Sequence, residues 1–217
     1  MRYPKSISNI EEKRPPAGQF SAWLRRFRKA LKNETGINVK CGDCNACCRS
    51  SQFIHVKPGE TETIARIDKR LLFPAPGLPR GNMVLGYDKD GCCPMLIKGQ
   101  CSIYEDRPIT CRNYDCRIFA AAGINAGGKE KELVNQQVRR WRFKYKDALD
   151  RRQHSAVMAA AEFLKENARI FPAGSLSGNP SQLAILAIKC YDVFLRPDLL
   201  RNKKETVQKM ISKVQQI

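Results

Sequence analysis

Apolar side chains recur at helical spacing near the start of the chain. The series consists of Phe20, Trp23, Leu24, Phe27 and Leu31. It follows the helix-hostile run from Arg14 to Gly18, so the spacing predicts an amphipathic helix that begins after this run. Arginines and lysines occupy the other face of this helix, and we interpret that face as exposed to solvent.

The second half of the chain shows the same period over a longer distance. Residues 131–170 predict continuous helix, and Ser181 after Pro180 can cap an apolar helix that ends at Leu195. A last amphipathic helix is predicted around residues 207–214. No apolar stretch approaches the roughly 18 residues that a membrane span requires. We therefore expect several helices and no membrane span.

The middle of the chain has shorter and less regular patterns. Residues 51–56 predict a strand, residues 61–72 predict a helix, and residues 82–87 and 93–104 predict the arms of a hairpin-like passage. Because helices flank these short elements on both sides, the whole pattern predicts an α+β fold that is predominantly helical.

Ten cysteines add chemistry to this picture. Eight of them form a compact CxxCxxCC motif and a spaced downstream series, namely Cys41, Cys44, Cys47, Cys48, Cys93, Cys101, Cys111 and Cys116. The N-terminal residues lack the apolar run of a secretory signal, so we expect a cytoplasmic protein whose thiols stay reduced. Clustered thiols in a reducing compartment are typical of metal sites, so we predict that these eight are metal ligands. Cys190, in an apolar segment, is predicted to be a buried thiol.

Two kinds of metal centre fit the spacing. Two residues between thiolates let a short loop turn both sulfurs toward one ion, and three such sulfurs in succession suit the corners of a 4Fe–4S cube. A zinc site normally needs only one such pair, although eight cysteines could also form two four-thiolate zinc sites. The spacing therefore favours an iron–sulfur cluster and leaves zinc open.

Three regions follow from these patterns. Residues 1–37 form an N-terminal extension with the basic amphipathic helix, residues 38–122 form a cysteine-cluster metal-binding module, and residues 129–217 form a helical region. Because the loop around the first cysteines has little apolar content, we expect metal binding to stabilise this small irregular module. The module is expected to pack against the multi-helix body.

The segment before Cys111 is predicted to begin a helix. Proline is tolerated in a first helical turn, which suits Pro108, and Asp106 could cap the free amides. A thiolate near this N-terminus would be favoured by the helix dipole. Arg107 and Arg112 could donate hydrogen bonds to sulfur or offset the charge of the centre, or they could pair with neighbouring acidic residues. The sequence leaves both roles open.

The motifs resemble a known family. The segments that carry the resemblance are Cys41–Cys48, Cys93–Leu96, Gly99–Pro108 and Cys111–Arg112. They are similar to the CxxCxxCC (YkgJ-type) family of zinc- or iron-chelating cysteine-cluster proteins. The resemblance covers roughly residues 38–120 and implies an iron–sulfur or zinc centre. A related branch of the family includes flagellin lysine methylases, which implies an enzymatic alternative.

The chain departs from the family pattern at two places. Met95 stands where a phenylalanine is common, and Cys92 is an additional cysteine beside Cys93. We choose Cys93 as the ligand because it precedes Pro94.

Other candidate sites carry less weight. His55 could supply a nitrogen ligand, but eight thiols make it unnecessary, and we interpret both His55 and His154 as structural. Residues 123–130 nearly form the phosphate-binding motif Gly-x4-Gly-Lys-Ser/Thr. Glu130 replaces the hydroxyl residue, however, and no parallel strand is evident before the motif. We predict a flexible linker here.

The net charge of +18 lies mainly outside the cysteine region. Residues 1–40 contain 10 basic and 3 acidic residues, whereas residues 41–116 contain 10 and 9. Basic flanks suit an acidic protein or RNA, particularly where Trp141, Phe143 and Tyr145 alternate with arginine and lysine. We favour a long amphipathic helix whose aromatic residues face inward.

Metal binding by a cysteine cluster is thus the predicted function. Two further classes stay open: a cluster-dependent redox or protein-modifying enzyme, such as a lysine methylase, and a zinc-stabilised module that binds RNA or protein. An enzyme would need a pocket that reaches the metal. A binding module would have a closed four-thiolate site and a continuous basic face.

Overall fold

Helices dominate the computed structural model, which describes residues 16–33, 37–172, 178–195 and 202–215. The α-helices are α1 (Phe20–Asn33), α2 (Thr61–Arg66), α3 (Ile109–Asn113), α4 (Arg117–Ala122), α5 (Glu132–Arg140), α6 (Ala148–Glu166), α7 (Pro180–Cys190) and α8 (Lys203–Gln215). None of the described helices is long and apolar enough to cross a bilayer. Residues 1–15 and 34–36 of the predicted N-terminal extension lie outside the described residues.

The strands are short and form three small sheets. They are β1 (Pro16–Gln19), β2 (Ile54–Val56), β3 (Leu72–Pro74), β4 (Met83–Leu85), β5 (Leu96–Ile97), β6 (Gln100–Cys101) and β7 (Arg142–Lys144). β1 pairs in parallel with β7, β4 lies between β2 and β3 in an antiparallel sheet, and β5 and β6 form a hairpin. The prediction of a predominantly helical α+β fold is confirmed.

The main hydrophobic core is built by the helices. The apolar stripe predicted for α1 is buried there: Phe20, Trp23, Leu24 and Phe27 pack with residues of α4, α5, α6, α7 and α8. Phe143 and Tyr145 pack against the same cluster, so these two aromatic residues face inward as predicted, whereas Trp141 is not part of this cluster. Burial of these large side chains is the chief stabilising contribution of the helical body.

A second and much smaller hydrophobic cluster lies among the cysteines. Its buried members are Ile67, Leu85 and Ile103, and Cys93, Met95 and Cys101 are among the half-buried residues that pack against them. Val56, Ala75 and Val84 are buried outside this cluster, yet the total apolar burial is still small for a segment of this length, so the local fold depends on other interactions as well.

The continuous helix predicted for residues 131–170 is wrong. α5 ends at Arg140, Trp141 has an extended backbone, and β7 pairs with β1 before α6 begins. Hydrogen bonding to a strand from the other end of the chain outweighs the local helical preference of this segment.

Two predictions for the middle of the chain also need correction. The predicted helix over residues 61–72 ends at Arg66, because Ile67 turns into the small hydrophobic cluster with an extended backbone and Leu72 begins β3. The predicted arms 82–87 and 93–104 do not pair with each other. β4 instead pairs with β2 and β3.

The cap of α7 lies one position earlier than Pro180. The Asn179 side chain accepts a hydrogen bond from the Ser181 amide at 2.8 Å, and Pro180 occupies the first helical turn. The N-cap of α7 is therefore Asn179 and not the predicted Ser181. Asparagine is a favoured N-cap residue, and proline is favoured at the first position of a helix.

Candidate metal centre

A cavity of about 350 Å³ lies between three segments that carry cysteines. Its walls come from the loop around residues 41–48, from the β5–β6 hairpin with the residues before it, and from α3. The cysteines that line it are Cys41, Cys44, Cys47, Cys48, Cys93, Cys101 and Cys111. The structure thus brings together seven of the eight predicted ligands, although they are up to 70 residues apart in sequence.

Backbone hydrogen bonds hold the three segments in place. The Cys93 amide donates to the Cys48 carbonyl at 2.7 Å, and the Ser51 amide donates to the Gly91 carbonyl at 2.9 Å. On the other side, the Val39 amide donates to the Arg112 carbonyl at 2.6 Å. The cysteine loop is therefore tied both to the segment before β5 and to α3.

The β5–β6 hairpin places Cys101 on the cavity wall. Ile97 pairs with Gln100, which leaves Lys98 and Gly99 as a two-residue loop, and both have positive φ, 50° and 80°. Two positive φ values are the signature of a type I′ turn, which suits the twist of a two-stranded hairpin. The turn is joined to the cysteine loop because the side-chain amide Nδ2 of Asn45 donates to the Gly99 carbonyl at 3.0 Å.

Glu60 fixes the N-terminus of α3, the helix that carries Cys111. Its Oε2 accepts a hydrogen bond from the Ile109 amide at 2.6 Å, and its Oε1 accepts one from the Lys57 amide at 2.7 Å. Asp106, the predicted cap, instead forms an ion pair with Arg66. A carboxylate from a distant segment therefore satisfies the first free amide of this helix, which is why the local sequence gave no indication of it.

Cys116 lies outside the cavity lining. Its thiol accepts a hydrogen bond from Trp141 Nε1 at 3.2 Å, at the point where α5 ends. Cys92 and His55 are also absent from the lining residues. Cys92 donates to the Asp90 carbonyl, and His55 bonds Asn82 at 2.8 Å.

Cys190 is fully buried in α7, and all ten cysteines are free thiols. The Cys190 thiol donates to the Leu186 carbonyl at 2.9 Å, as expected for a thiol buried within a helix. Burial raises its pKa to about 12. The cavity thiols do not form a finished metal site: among the described residues, no group of three or more histidine, cysteine, aspartate or glutamate side chains has the arrangement needed to hold a metal ion, so binding would have to draw the thiols closer together.

Burial raises the pKa values of several cavity thiols above the ordinary range of cysteine. Burial raises the pKa of Cys93 to about 11 and also raises the pKa values of Cys41, Cys101 and Cys111. Cys48 is the exception, because a hydrogen bond with Cys47 lowers its pKa to about 7. A metal would have to displace protons from these thiols, so binding should strengthen as the pH rises.

Arg107 is the positively charged side chain among the described residues that line the cavity. Its guanidinium lies over the Tyr104 ring, with Cζ 4.0 Å from the ring centroid, and its field opposes the rise in the pKa values of Cys41 and Cys101. Arg112 is directed elsewhere and donates to the Arg107 carbonyl at 2.7 Å. The described contacts of neither arginine include the acidic neighbours considered above.

Residues 123–130 do not form a phosphate-binding loop. They follow helix α4 and not a strand, and Glu130 Oε1 accepts the Gly128 amide at 3.0 Å, where a phosphate would need free donors. Asn135 pins the loop by accepting from the Ala126 amide at 2.7 Å and donating to the Gly127 carbonyl. His154 is structural, since it stacks on Phe20 and bonds the Tyr145 hydroxyl.

Three residues that support the site were not singled out as such from the sequence. They are Glu60, for which no role follows from the sequence pattern, Tyr104, which belongs to the resemblance segment Gly99–Pro108, and Trp141, which the sequence pattern places in a helix. Tyr104 accepts a hydrogen bond from the Cys41 amide at 3.1 Å, across the cavity wall. Each of these contacts joins residues more than 20 positions apart, so no local spacing could reveal them.

The comparison with known families agrees with the cysteine pattern. No curated protein and no solved structure gives a significant match to this chain. Residues 40–138, just under half of the chain, match the family model described as CxxCxxCC, putative zinc- or iron-chelating domain. The resemblance carried by the cysteine motifs is thereby confirmed over these residues.

Proposed function

We propose that this domain binds an iron–sulfur cluster of the 4Fe–4S type within the thiol cavity. The observation that carries the proposal is the convergence of seven thiols from three segments on one cavity of about 350 Å³. Zinc bonds its sulfur ligands at about 2.3 Å and needs a much smaller space. In an iron–sulfur cluster each thiolate binds a different iron atom, so the cluster needs a wider space than a zinc ion does. Zinc bound by the same thiols is the alternative.

The proposed ligands are those predicted from the sequence. Seven of them line the cavity. Cys116 lies outside the lining but stays in the set, because burial raises its pKa to about 12 and the Cys44 thiol is close enough to add to this rise. A bound centre would supply folding free energy, and as a cluster it would also supply a redox couple. A reducing compartment such as the cytoplasm would keep the thiols available, and this is the location we propose.

Adjacent cysteines provide the sharpest test. Cys93 lines the cavity and Cys92 does not, so Cys93→Ser should lose bound metal and Cys92→Ser should retain it. The proteins should be purified without oxygen and analysed for iron, zinc and acid-labile sulfide, together with their absorbance spectra. Iron and sulfide in equal amounts, lost in Cys93→Ser alone, would support the proposal.

Other outcomes of this measurement are equally informative. Zinc without sulfide, lost in the same variant, would replace the cluster by the zinc alternative. Equal metal content in Cys92→Ser, Cys93→Ser and the wild-type protein would contradict metal binding in this cavity. Cys190→Ser provides a further control, since its thiol is in the helical core and should not affect metal content.

A cluster-dependent enzyme is a second candidate, and the composition of the cavity wall favours it. Leu85, Met95, Leu96 and Ile103 lie beside the thiols. Apolar walls with a few reactive groups are typical of small-molecule sites.

The RNA-binding alternative would need exposed aromatic rings for base stacking. Phe143 instead packs against Phe20 and Trp23, with ring centroids 5.0 and 5.1 Å apart, so its ring is occupied within the core. An acidic protein at the exposed basic face of α1 is the partner class we propose.

A further inference from the structure

Arg107 is a buried cation beside the thiol cavity. The residue is only 6% exposed, and it lines the same cavity as seven cysteines. Among the described residues its hydrogen bonds go to neutral acceptors: Nη1 donates to the Tyr104 carbonyl at 2.6 Å, and Nη2 donates to Asn38 Oδ1 and the Val39 carbonyl, both at 3.1 Å. A buried guanidinium without a carboxylate partner is unusual, because desolvation of an uncompensated charge is costly.

One donor of this guanidinium has no partner. Arg107 Nε is buried and makes no hydrogen bond in the structure. The other nitrogens and the Tyr104 ring hold the guanidinium in place, so Nε cannot readily turn to another acceptor. A fixed, buried and unsatisfied donor in a residue that lines the cavity indicates a ligand that supplies an acceptor and a negative charge.

The metal centre itself has both properties. Thiolate ligands outnumber the positive charge of a divalent ion or an iron–sulfur core, so a loaded thiolate site is negative, and its sulfurs accept hydrogen bonds. We infer that Arg107 is the counter-ion of the metal centre and that its Nε donates a hydrogen bond toward a ligand sulfur. This inference rests on the proposed function and adds a positioning residue to it.

The competing explanation is that Arg107 only ties loops together. Its three described hydrogen bonds do connect residues 38–39 with Tyr104, and a structural role of this kind would not depend on charge. The two roles separate in the variants Arg107→Lys and Arg107→Gln. Both lose the planar fork and its geometry, but lysine keeps the positive charge and a donor.

A matched control lies nearby on the same module. Arg66 pairs with Asp106 at 3.1 Å and its side chain is 65% exposed. Arg66→Gln therefore removes the same formal charge from the chain as Arg107→Gln, but from a solvated position. It corrects for any general effect of net charge on metal affinity.

The experiment is an anaerobic competition of wild-type and variant proteins with a chromophoric chelator for zinc and for cobalt(II). Loss of a supporting group next to metal ligands typically weakens affinity about 10- to 100-fold, and we expect a loss of this size for Arg107→Gln. Arg107→Lys should recover most of it, and Arg66→Gln should bind like the wild type. The cobalt–thiolate charge-transfer band should move to longer wavelength in Arg107→Gln, because a sulfur that loses a hydrogen bond holds its electrons less tightly.

The outcomes separate the inference from the proposed function. Equal losses in Arg107→Lys and Arg107→Gln, or an unchanged band in Arg107→Gln, would assign Arg107 to loop packing and overturn the inference while metal binding stands. Wild-type protein that binds neither ion nor a reconstituted cluster would overturn the proposed function, and the inference with it.

Discussion

Single buried polar side chains hold the cysteine segments in position. Glu60 is the clearest case, because its two carboxylate oxygens accept from the Lys57 and Ile109 amides and so join the turn after β2 to the helix of Cys111. Thr63 and Thr110 add parallel contacts, donating to the Asp106 and His55 carbonyls at 2.6 and 2.7 Å. The Cys111 thiol is thus placed by hydrogen bonds that its own helix, only five residues long, could not supply.

We expect Glu60→Ala to lower the free energy of unfolding and to weaken metal binding together. Two backbone amides would lose a charged acceptor, and hydrogen bonds of this kind contribute about 1.5–3 kcal/mol each. Urea unfolding of the metal-loaded protein and the chelator competition would measure both effects. Glu62→Gln, which changes an exposed residue in the first turn of α2, is the control and should alter neither. A Glu60→Ala protein of wild-type stability would show that α3 does not need this cap.

Candidate residues can be found in the sequence where their role depends on type and spacing, but not where it depends on distant contacts. The cysteines could be identified because thiols in CxxCxxCC spacing have few other uses in a reduced protein. Arg107 could be named as a candidate, but its burial and its lack of a carboxylate partner are visible only in three dimensions. Glu60 acts 49 positions from its helix, which no sequence window covers.

At the scale of elements, two buried aspartates attach α1 to the rest of the molecule. Asp150 of α6 accepts from the Ser21 amide at 2.7 Å and from the Lys146 amide at 2.8 Å. Asp115, just before the predicted ligand Cys116, accepts from Trp23 Nε1 at 2.9 Å and pairs with Arg117. α1 is therefore joined both to the helical body and to the edge of the cysteine module.

The Asp150 contact makes stability depend on pH. Burial works to raise the pKa of this carboxyl, but hydrogen bonds from Lys146, Ser21 and Gln19 outweigh it, so the pKa in the folded protein is lowered. Because unfolded aspartate titrates near pH ~3.9, the stabilisation is complete above that pH and is lost as the pH falls through the lower folded pKa. The unfolded state takes up the proton first.

We therefore expect Asp150→Asn to be less stable than the wild type at neutral pH, by about 1–3 kcal/mol, and to lose less additional stability between pH 5 and 2. The measurement is urea unfolding over this pH range, followed by far-UV circular dichroism. If the free energy of unfolding fell by the same amount between pH 5 and 2 in both proteins, this role of the Asp150 charge would be contradicted.

Helices and strands could be predicted where their own residues determine them, and not where they depend on pairing with a distant segment. α1 was predicted correctly because its apolar stripe has a helical period and faces one core. The segment after Arg140 was predicted wrongly, because β7 forms only through its pairing with β1, more than 120 residues earlier in the chain. The short strands β2, β3 and β4 likewise depend on each other, so their pairing could not be derived from two apparent hairpin arms.

At the scale of the whole molecule, the two hydrophobic clusters differ greatly in size. The helical body has a large core with Phe20, Trp23 and Phe119 fully buried, whereas the cluster among the cysteines buries only Ile67, Leu85 and Ile103. The three regions predicted from the sequence stay a proposal. The difference in core size nevertheless indicates that the cysteine segments rely on a bound centre more than the helices do.

Metal removal should therefore unfold the molecule locally. Structural zinc contributes apparent free energies of about 10–16 kcal/mol in small thiolate domains, far more than the three buried side chains of the small cluster can replace. After anaerobic chelation, hydrogen exchange should become fast at amides that join the cysteine segments, such as Cys93 and Ser51, while amides of α6 and α7 remain protected. Far-UV circular dichroism should lose little helical signal, because most of the helix lies in the body with the larger core. Loss of protection throughout the chain would show instead that the helical body also requires the metal, and unchanged protection at Cys93 would show that the cysteine segments fold without it.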